Sequence, residues 1–245
     1  MKSFYRMTLS EIKLFLREPM NMFFTLAFPL ILLFVFGAIF GNEPTELFGG
    51  MGTVDVSVPA YIGMTIATLG LLGLPIGLAT YREQGILRRL RATPVRPAAI
   101  FGALLTVNLI AALAGTMLLL VAGRLVFNLK MPAMPLSLLP AIFLCMLSFS
   151  AFSFVLAGLV STPRVAQALG MAILMPMLFL SGAAMPRETM PENIRRIGDF
   201  LPLTYVVELL KGLWFGQGWN LGAVAVLLGM LVVGTLLATR TFRWE

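Results

Sequence analysis

Six long runs of residues without a single charge dominate the chain, and they cover residues 19–42, 56–81, 97–123, 131–163, 165–186 and 212–239. Each run exceeds the roughly 20 apolar residues that a helix needs to cross about 30 Å of hydrocarbon. The runs lack the period-two alternation of a transmembrane β-barrel. The pattern therefore predicts an all-α membrane protein of one domain, residues 1–245. Its six spans are expected at about residues 21–40, 59–80, 98–122, 138–160, 166–181 and 221–239.

A shorter helix is predicted before the first span, over residues 3–17. Tyr5, Leu9, Ile12 and Leu16 recur there at helical spacing, and a basic stripe follows one residue later. Two such stripes favour a helix that lies in the headgroup layer of a membrane. A plain cytoplasmic lead-in to the first span is the alternative.

The most basic stretch of the chain, residues 82–97, lies between the second and third predicted spans. Ile86, Leu87 and Leu90 share one face of a short predicted helix, arginines cover the rest, and Pro94 and Pro97 follow. An anchoring loop needs arginines but does not need an amphipathic helix. The residues alone leave two interpretations open, a helix that docks onto a partner and a simple anchor loop.

Residues 182–218, before the last span, are too long for a turn and are divided by prolines. Thr189 and Glu192 have the spacing of a capping box and predict a helix at about residues 191–200. A second helix is expected at about residues 203–215, with its apolar residues on one face. Neither helix can span a membrane, so a hairpin that enters it partway is predicted. A pair of helices lying flat on the surface is the alternative.

The second predicted span carries small and hydroxyl residues along its length, at Gly63, Thr65, Ala67, Thr68, Gly70, Gly73 and Gly77. Small residues allow helices to approach closely. Ordinary span packing is the plainer interpretation of this texture. The alternative is a helix that lines a path and moves.

Composition agrees with lipid as the solvent, because 59% of the residues are hydrophobic and 12% are charged, against about a quarter charged in soluble domains. The net charge of +7 is split among short loops, which argues against nucleic acid and in favour of an orientation signal. With the N-terminus in the cytoplasm, the inside segments hold most of the 18 basic residues, namely Lys2, Arg6, Lys13, Arg17, Arg82, Arg88, Arg89, Arg91, Arg96, Arg164, Arg240 and Arg243. The positive-inside rule therefore predicts that both termini are cytoplasmic.

Several kinds of chemistry are absent from the sequence. One cysteine and no histidine exclude a disulfide framework and a Cys/His metal site. No Gly-x-x-x-x-Gly-Lys-Ser/Thr loop is present to hold ATP phosphates. No ionisable residue is expected deep in a span, which disfavours a proton- or sodium-driven carrier. A six-span protein of this kind is expected to take its energy from another chain.

The chain resembles, over nearly its whole length, the membrane-spanning permease of bacterial type-2 ATP-binding-cassette (ABC) transporters. The motif Glu83-x-Gly85-x-Leu87-x-x-Leu90-x-Ala92-Thr93-Pro94 resembles the family's coupling helix, which fits a groove on the ATPase subunit. This resemblance implies a set of coupling residues, namely Arg82, Glu83, Gln84, Gly85, Ile86, Leu87, Arg88, Arg89, Leu90, Arg91 and Pro94.

A second motif resembles the re-entrant outside hairpin of the same family. It consists of Leu180-Ser181-Gly182 with Pro186, Pro191 and Pro202-Leu203-Thr204. The implied hairpin residues are Ser181, Gly182, Pro186, Pro191, Pro202, Thr204 and Glu208. The second and fifth spans are then expected to line the path, with Thr65, Thr68, Gly73, Gly77, Met175 and Phe179 as candidate lining residues.

The resemblance implies a half-transporter in the bacterial cytoplasmic membrane. Two permeases, identical or different, would assemble with two ATPase subunits that bind ATP and magnesium, and this chain would hold no cofactor, metal or catalytic residue. Within the family the chain looks closer to the daunorubicin- or linearmycin-type exporters of drugs and antibiotics. The expected cargo is a hydrophobic or amphipathic drug or lipid-like molecule. The alternatives are a lipid-linked polysaccharide or oligosaccharide, and a membrane module that senses an antibiotic or confers immunity.

Overall fold

The computed structural model describes residues 2–91 and 97–241, and in these ranges the chain forms helices and no strand. The helices are α1 (Lys2–Phe15), α2 (Pro19–Phe40), α3 (Thr53–Glu83), α4 (Ile86–Arg91), α5 (Pro97–Phe127), α6 (Pro135–Leu159), α7 (Pro163–Leu180), α8 (Glu192–Gly198), α9 (Pro202–Trp214) and α10 (Leu221–Thr241). Six of them, α2, α3, α5, α6, α7 and α10, are long and apolar enough to cross a membrane. The predictions of an all-α fold and of six such helices are confirmed.

The helices form a bundle with two different ends. One end carries α1, α4 and the short α6–α7 turn, and we call it the coupling end. The other carries residues 41–52, residues 128–134 and the segment 181–220 with α8 and α9, and we call it the hairpin end. These names describe the bundle without reference to a side of the membrane.

Helix α3 occupies the centre of the bundle. In its most apolar window 83% of the residues are buried, against 17% to 56% in the other five candidate spans. It packs against α2, α5, α6, α7 and α9. The helix has 31 residues and begins at Thr53, earlier than the predicted start at about residue 59. A helix enclosed in this way faces protein on all sides, and its small residues allow that enclosure.

Two π-turns, at Phe23–Ala27 in α2 and Leu69–Gly73 in α3, have a common cause. Each is followed by a proline, Pro29 and Pro75, which has no N–H to donate to the carbonyl four residues earlier. The freed carbonyl of Thr25 accepts a hydrogen bond from the Thr65 hydroxyl at 3.5 Å. The carbonyl of Gly70, inside the second π-turn, accepts one from the Ser153 hydroxyl. Neighbouring helices thus satisfy the backbone that the prolines disturb.

Glycines permit close packing around the second π-turn. A Cβ atom at Gly170 of α7 would lie 2.5 Å from the carbonyl oxygen of Leu71. A Cβ atom at Gly70 would lie 2.8 Å from Cβ of Phe149 on α6. The middle of α3 therefore packs closely against the Phe149 side chain of α6 and against the backbone of α7 at Gly170.

This contact predicts that Gly170→Ala destabilises the protein. The added methyl group would collide with the Leu71 carbonyl, which is backbone and cannot turn aside, so overpacking should lower the free energy of unfolding by about 1–3 kcal/mol. Thermal unfolding in detergent measures the effect. The matched control is Gly229→Ala on α10, where a Cβ atom meets no heavy atom within 4 Å. Equal melting temperatures for the two variants would contradict the close approach of α7 to α3.

Candidate functional site

The short helix α4 is joined to the central helix α3 by a tight turn at Gln84 and Gly85. Gly85 has φ +67°, in the left-handed region that favours glycine. Its N–H donates to the Arg82 carbonyl at 3.0 Å, and the Arg89 N–H returns to the Gly85 carbonyl at 3.2 Å. Because two residues separate the helices, α4 cannot shift far without moving the end of α3.

The last turn of α3 is fastened to two other parts of the coupling end. The Tyr81 hydroxyl donates to the Glu11 carboxylate of α1, and both side chains are buried. The Arg82 guanidinium donates to the carbonyl oxygens of Ala157 at 3.1 Å and Val160 at 2.6 Å. These carbonyls belong to the last turn and C-cap of α6, where helices lack their own donors. The turn that carries α4 is thus linked to α1 and to α6.

The predicted coupling residues divide into an inner and an outer set. Leu87 is 1% exposed, so its side chain packs inside this chain and is not available to a partner. Glu83, Gln84 and Arg89 are exposed, and Ile86 borders a cavity of about 170 Å³ at this end. The side chains of Arg88, Leu90 and Arg91 lie outside the description, as does Pro94 within residues 92–96.

The candidate path-lining residues do not lie together. Gly73 and Gly77 border the cavity at the coupling end. Met175 and Phe179 border a larger cavity of about 450 Å³ at the hairpin end. Thr65 and Thr68 lie between these ends in the interior, and their hydroxyls donate to the carbonyls of Tyr61 at 3.0 Å and Met64 at 2.9 Å, one turn earlier in α3.

The segment after α7 forms two short helices with different environments. Helix α9 is buried against α3, α6 and α10, and its apolar face includes Leu203, Val206 and Leu210. Helix α8 lies at the edge, where Ile197 is 55% exposed. Helix α9 is therefore part of the packed bundle, and the re-entrant hairpin stays a prediction.

Most of the predicted hairpin residues lie at the bends of this segment. Ser181 ends α7, and Gly182 follows with φ +88°. Pro202 starts α9, and the Thr204 hydroxyl donates to the Gly198 carbonyl at 2.6 Å, which joins α9 to α8. Pro186 and Pro191 precede the Arg187–Thr189 turn and α8.

The capping box predicted at Thr189 and Glu192 is wrong. The N-cap of α8 is Pro191, and no side chain caps it. The Thr189 hydroxyl donates to the Pro186 carbonyl at 2.7 Å instead. A threonine side chain can bond its own local backbone in a tight turn, and here this local bond competes successfully with the cap.

Charged side chains connect the parts of the hairpin end. Arg187 is central, because its guanidinium pairs with Asp199 after α8 and with Glu208 on α9, the latter at 2.9 Å. Lys211 pairs with Glu188 at 3.4 Å. Burial lowers the pKa of the Lys211 ammonium, an effect that Glu188 opposes. The sequence predicted Glu208 as a hairpin residue. It did not indicate Arg187, which pairs with Glu208, or Glu188, which pairs with Lys211.

Asp55 was also missed, because the second span was predicted to begin after it, at about residue 59. It lies in the first turn of α3, where an acidic residue is favoured by the helix dipole, and is 1% exposed. Its carboxylate accepts hydrogen bonds from the Asn42 amide at 3.1 Å and the Lys130 backbone N–H at 2.9 Å. The Asn42 amide also donates to the Phe127 carbonyl at 3.1 Å. Asp55 therefore ties together the ends of α2, α3 and α5.

The six-helix bundle with polar fastenings at both ends defines a multi-pass membrane protein. Comparison with known families matches residues 2–215 to the ABC-2 type transporter. The chain therefore belongs to the ABC-2 type transporter family, whose members are transport permease subunits.

Individual relatives agree with this assignment. The daunorubicin resistance ABC transporter permease protein DrrB1 of Streptomyces coeruleorubidus is 27% identical over 237 residues, which cover 92% of this chain and 80% of that protein. The ycf38 transport permease of Porphyra purpurea is 28% identical over 221 residues, 83% and 71% of the two chains. Nodulation protein J of Rhizobium leguminosarum bv. viciae is 32% identical over 107 residues, 44% and 40% of the two chains.

The Tyr81–Glu11 contact predicts a pH-dependent loss of stability in Tyr81→Phe. Burial raises the pKa of the Glu11 carboxyl above its ordinary value of 4.5, and the Tyr81 hydrogen bond opposes this rise. Near neutral pH the variant leaves a buried carboxylate without its donor, which should cost about 1–3 kcal/mol of unfolding free energy. The loss should shrink as pH falls toward 4.5, because the carboxyl then binds a proton.

Thermal unfolding in detergent at a series of pH values measures this loss. Glu11→Gln removes the charge and serves as the matched background. In that background Tyr81→Phe should lose its pH dependence. A loss that is equally pH-dependent with and without Glu11 would show that the Tyr81 hydroxyl stabilises the protein in another way.

Proposed function

We propose that this chain is the permease subunit of an ATP-driven exporter, and that α4 is the surface on which a separate ABC ATPase docks. The observation that carries the proposal is the attachment of α4 to the end of the central helix. Gly85 makes the turn, and Tyr81 and Arg82 fasten the same turn to α1 and α6. A displacement imposed on α4 would therefore reach three elements of the bundle.

The residues of α4 and of the turn before it have separate tasks in this proposal. Leu87 holds the helix onto the bundle from inside, since it is 1% exposed. Glu83, Gln84 and Arg89 present a polar surface to the partner. ATP and magnesium bind to that partner, and this chain converts the partner's movement into a rearrangement of its spans. Two permeases and two ATPases form the complete unit.

We further propose that the coupling end faces the cytoplasm of a bacterial cell and that the cargo is a hydrophobic or amphipathic molecule moved outward. The distribution of basic residues supports the orientation, and the apolar cavity at the hairpin end supports the kind of cargo. The similarity to a daunorubicin resistance permease agrees with export of a drug or antibiotic. Both helices of the hairpin would then enter from the outside.

Charge reversal on the docking surface is expected to separate assembly from folding. Arg89→Glu should weaken co-purification with a cognate ABC ATPase by about tenfold or more, and should abolish ATP-driven accumulation of substrate in proteoliposomes. Arg195→Glu, an exposed arginine at the hairpin end, is the matched control and should change neither. Normal assembly and transport by Arg89→Glu would refute docking at α4.

Cysteine labelling tests the orientation independently of transport. The native Cys145 is buried and gives no background with an impermeant maleimide. Arg195→Cys should be labelled on intact cells, whereas Arg89→Cys should be labelled only after the membrane is permeabilised. Both side chains are exposed in the folded chain, so access to the reagent alone decides the result. The reverse pattern would invert the proposed topology.

A further inference from the structure

Two cavities lie side by side at the hairpin end and differ sharply in chemistry. The first, of about 450 Å³, lies between α2, the start of α3 and the end of α7, and is lined mainly by apolar side chains such as Phe36, Met175 and Phe179. The second, also about 450 Å³, is bordered by Glu188, Glu208 and other polar groups. Both volumes fall within the range of about 300–1,000 Å³ typical of small-molecule sites.

The two cavities share a wall. Phe48 borders both of them, at the tip of the loop that is closed by the Thr45–Met51 bridge. A constriction lined by Tyr61 and Lys211 also lies between them and has no room for a water molecule. Tyr61 borders the apolar cavity as well, and Lys211 the polar one. A molecule that occupied both cavities would displace or pass the Phe48 ring.

The polar cavity offers acceptor oxygens to a cation. Glu188 and Glu208 are 41% and 40% exposed. Lys211 donates to Oε1 of Glu188, and Arg187 donates to Oε1 of Glu208. In the described part of the chain, the second oxygen of each carboxylate accepts no hydrogen bond from the protein. The aromatic rings of Phe48 and Phe215 border the same cavity. Carboxylate oxygens together with aromatic rings are the groups that recognise an ammonium ion.

We propose that the paired cavities form a binding site within each permease for an amphiphilic amine, with the apolar body beside Met175 and the ammonium group at Glu188 and Glu208. The inference rests on the proposed transport function, since it names the cargo class of that function. An acidic amphiphile is disfavoured, because Lys211, the cation that borders the polar cavity, is already paired with Glu188. A neutral amphiphile could fill the apolar cavity but would leave the carboxylates without a partner.

The test is photo-cross-linking on the full-length chain in lipid nanodiscs. The probe is dodecylamine with a photoreactive diazirine in its alkyl chain, and the competitors are dodecylamine, dodecanol and dodecanoate. Mass spectrometry should find the label on residues of the apolar cavity, around Phe48 and Met175. Dodecylamine should compete at least about tenfold better than dodecanol, the advantage of a charge-assisted hydrogen bond, and dodecanoate should compete least.

Two variants separate recognition of the charge from collapse of the site. The double variant Glu188→Gln with Glu208→Gln should lose the preference for amine over alcohol but keep dodecanol binding in the apolar cavity. Glu192→Gln is the matched control, because this carboxylate lies on α8, is 74% exposed and does not border the cavity. Met175→Trp should fill the apolar cavity and prevent labelling, whereas Met117→Trp, on the exposed surface of α5, should not.

Several results would overturn the proposal. Equal competition by the three amphiphiles would mean that the site does not distinguish the charge of the headgroup. Loss of labelling in nanodiscs rich in phosphatidylethanolamine would identify a bilayer lipid as the occupant, and a cross-link between two copies at α2 and α7 would identify a second permease. The measurement contains no ATPase. Selective amine binding in nanodiscs, together with no ATP-driven transport in proteoliposomes, would therefore refute the proposed function alone. ATP-driven transport without a preference for the amine would refute this inference alone.

Discussion

The enclosure of one long helix by protein is the constraint on which the rest of the structure depends. Helix α3 has neighbours on every side, so each polar atom that it presents needs a partner within α3 or in a neighbouring segment of the chain. Asp55 finds Asn42 and the backbone of residue 130 at one end, and Arg82 finds the last carbonyls of α6 at the other. The carbonyl of Gly70, in the middle, finds Ser153. These contacts attach α3 to α6 and to the segments that follow α2 and α5.

A helix held in this way connects the two ends of the molecule. Its 31 residues extend about 46 Å at the usual helical rise, from the buried Asp55 to the turn that carries α4. Asp55 borders neither of the two large cavities of the hairpin end, but Val56 and Tyr61, which follow it in α3, do. The same rod therefore touches the proposed cargo site at one end and the proposed docking helix at the other. This continuity gives a physical route between the two sites.

Much of this arrangement was predictable, because a charge-free run of span length without period-two alternation forms a helix in lipid. The apolar face of α9 was also visible at helical spacing. The sequence does not show what an apolar face packs against. The face at Leu87 was consistent with docking onto a partner as well as with packing inside this chain, and the structure buries Leu87 inside this chain. The second span was predicted to begin after Asp55, because a single charge near the end of an apolar run indicates a boundary. The Asn42 side chain and the Lys130 backbone N–H, brought close by the fold, make the burial of Asp55 tolerable.

The π-turn at Leu69–Gly73 gives the rod a point at which it can bend. It lies near the middle of α3, just before Pro75, where the regular hydrogen-bond ladder is already interrupted. The Gly70 carbonyl there is held by Ser153 of α6, so a bend exchanges contacts between helices and breaks few bonds within α3. Gly170 of α7 touches the same turn through the Leu71 carbonyl. A force that enters through Arg82 and α4 would therefore be expressed as movement of α6 and α7 about this turn, and α7 carries Met175 and Phe179 of the apolar cavity.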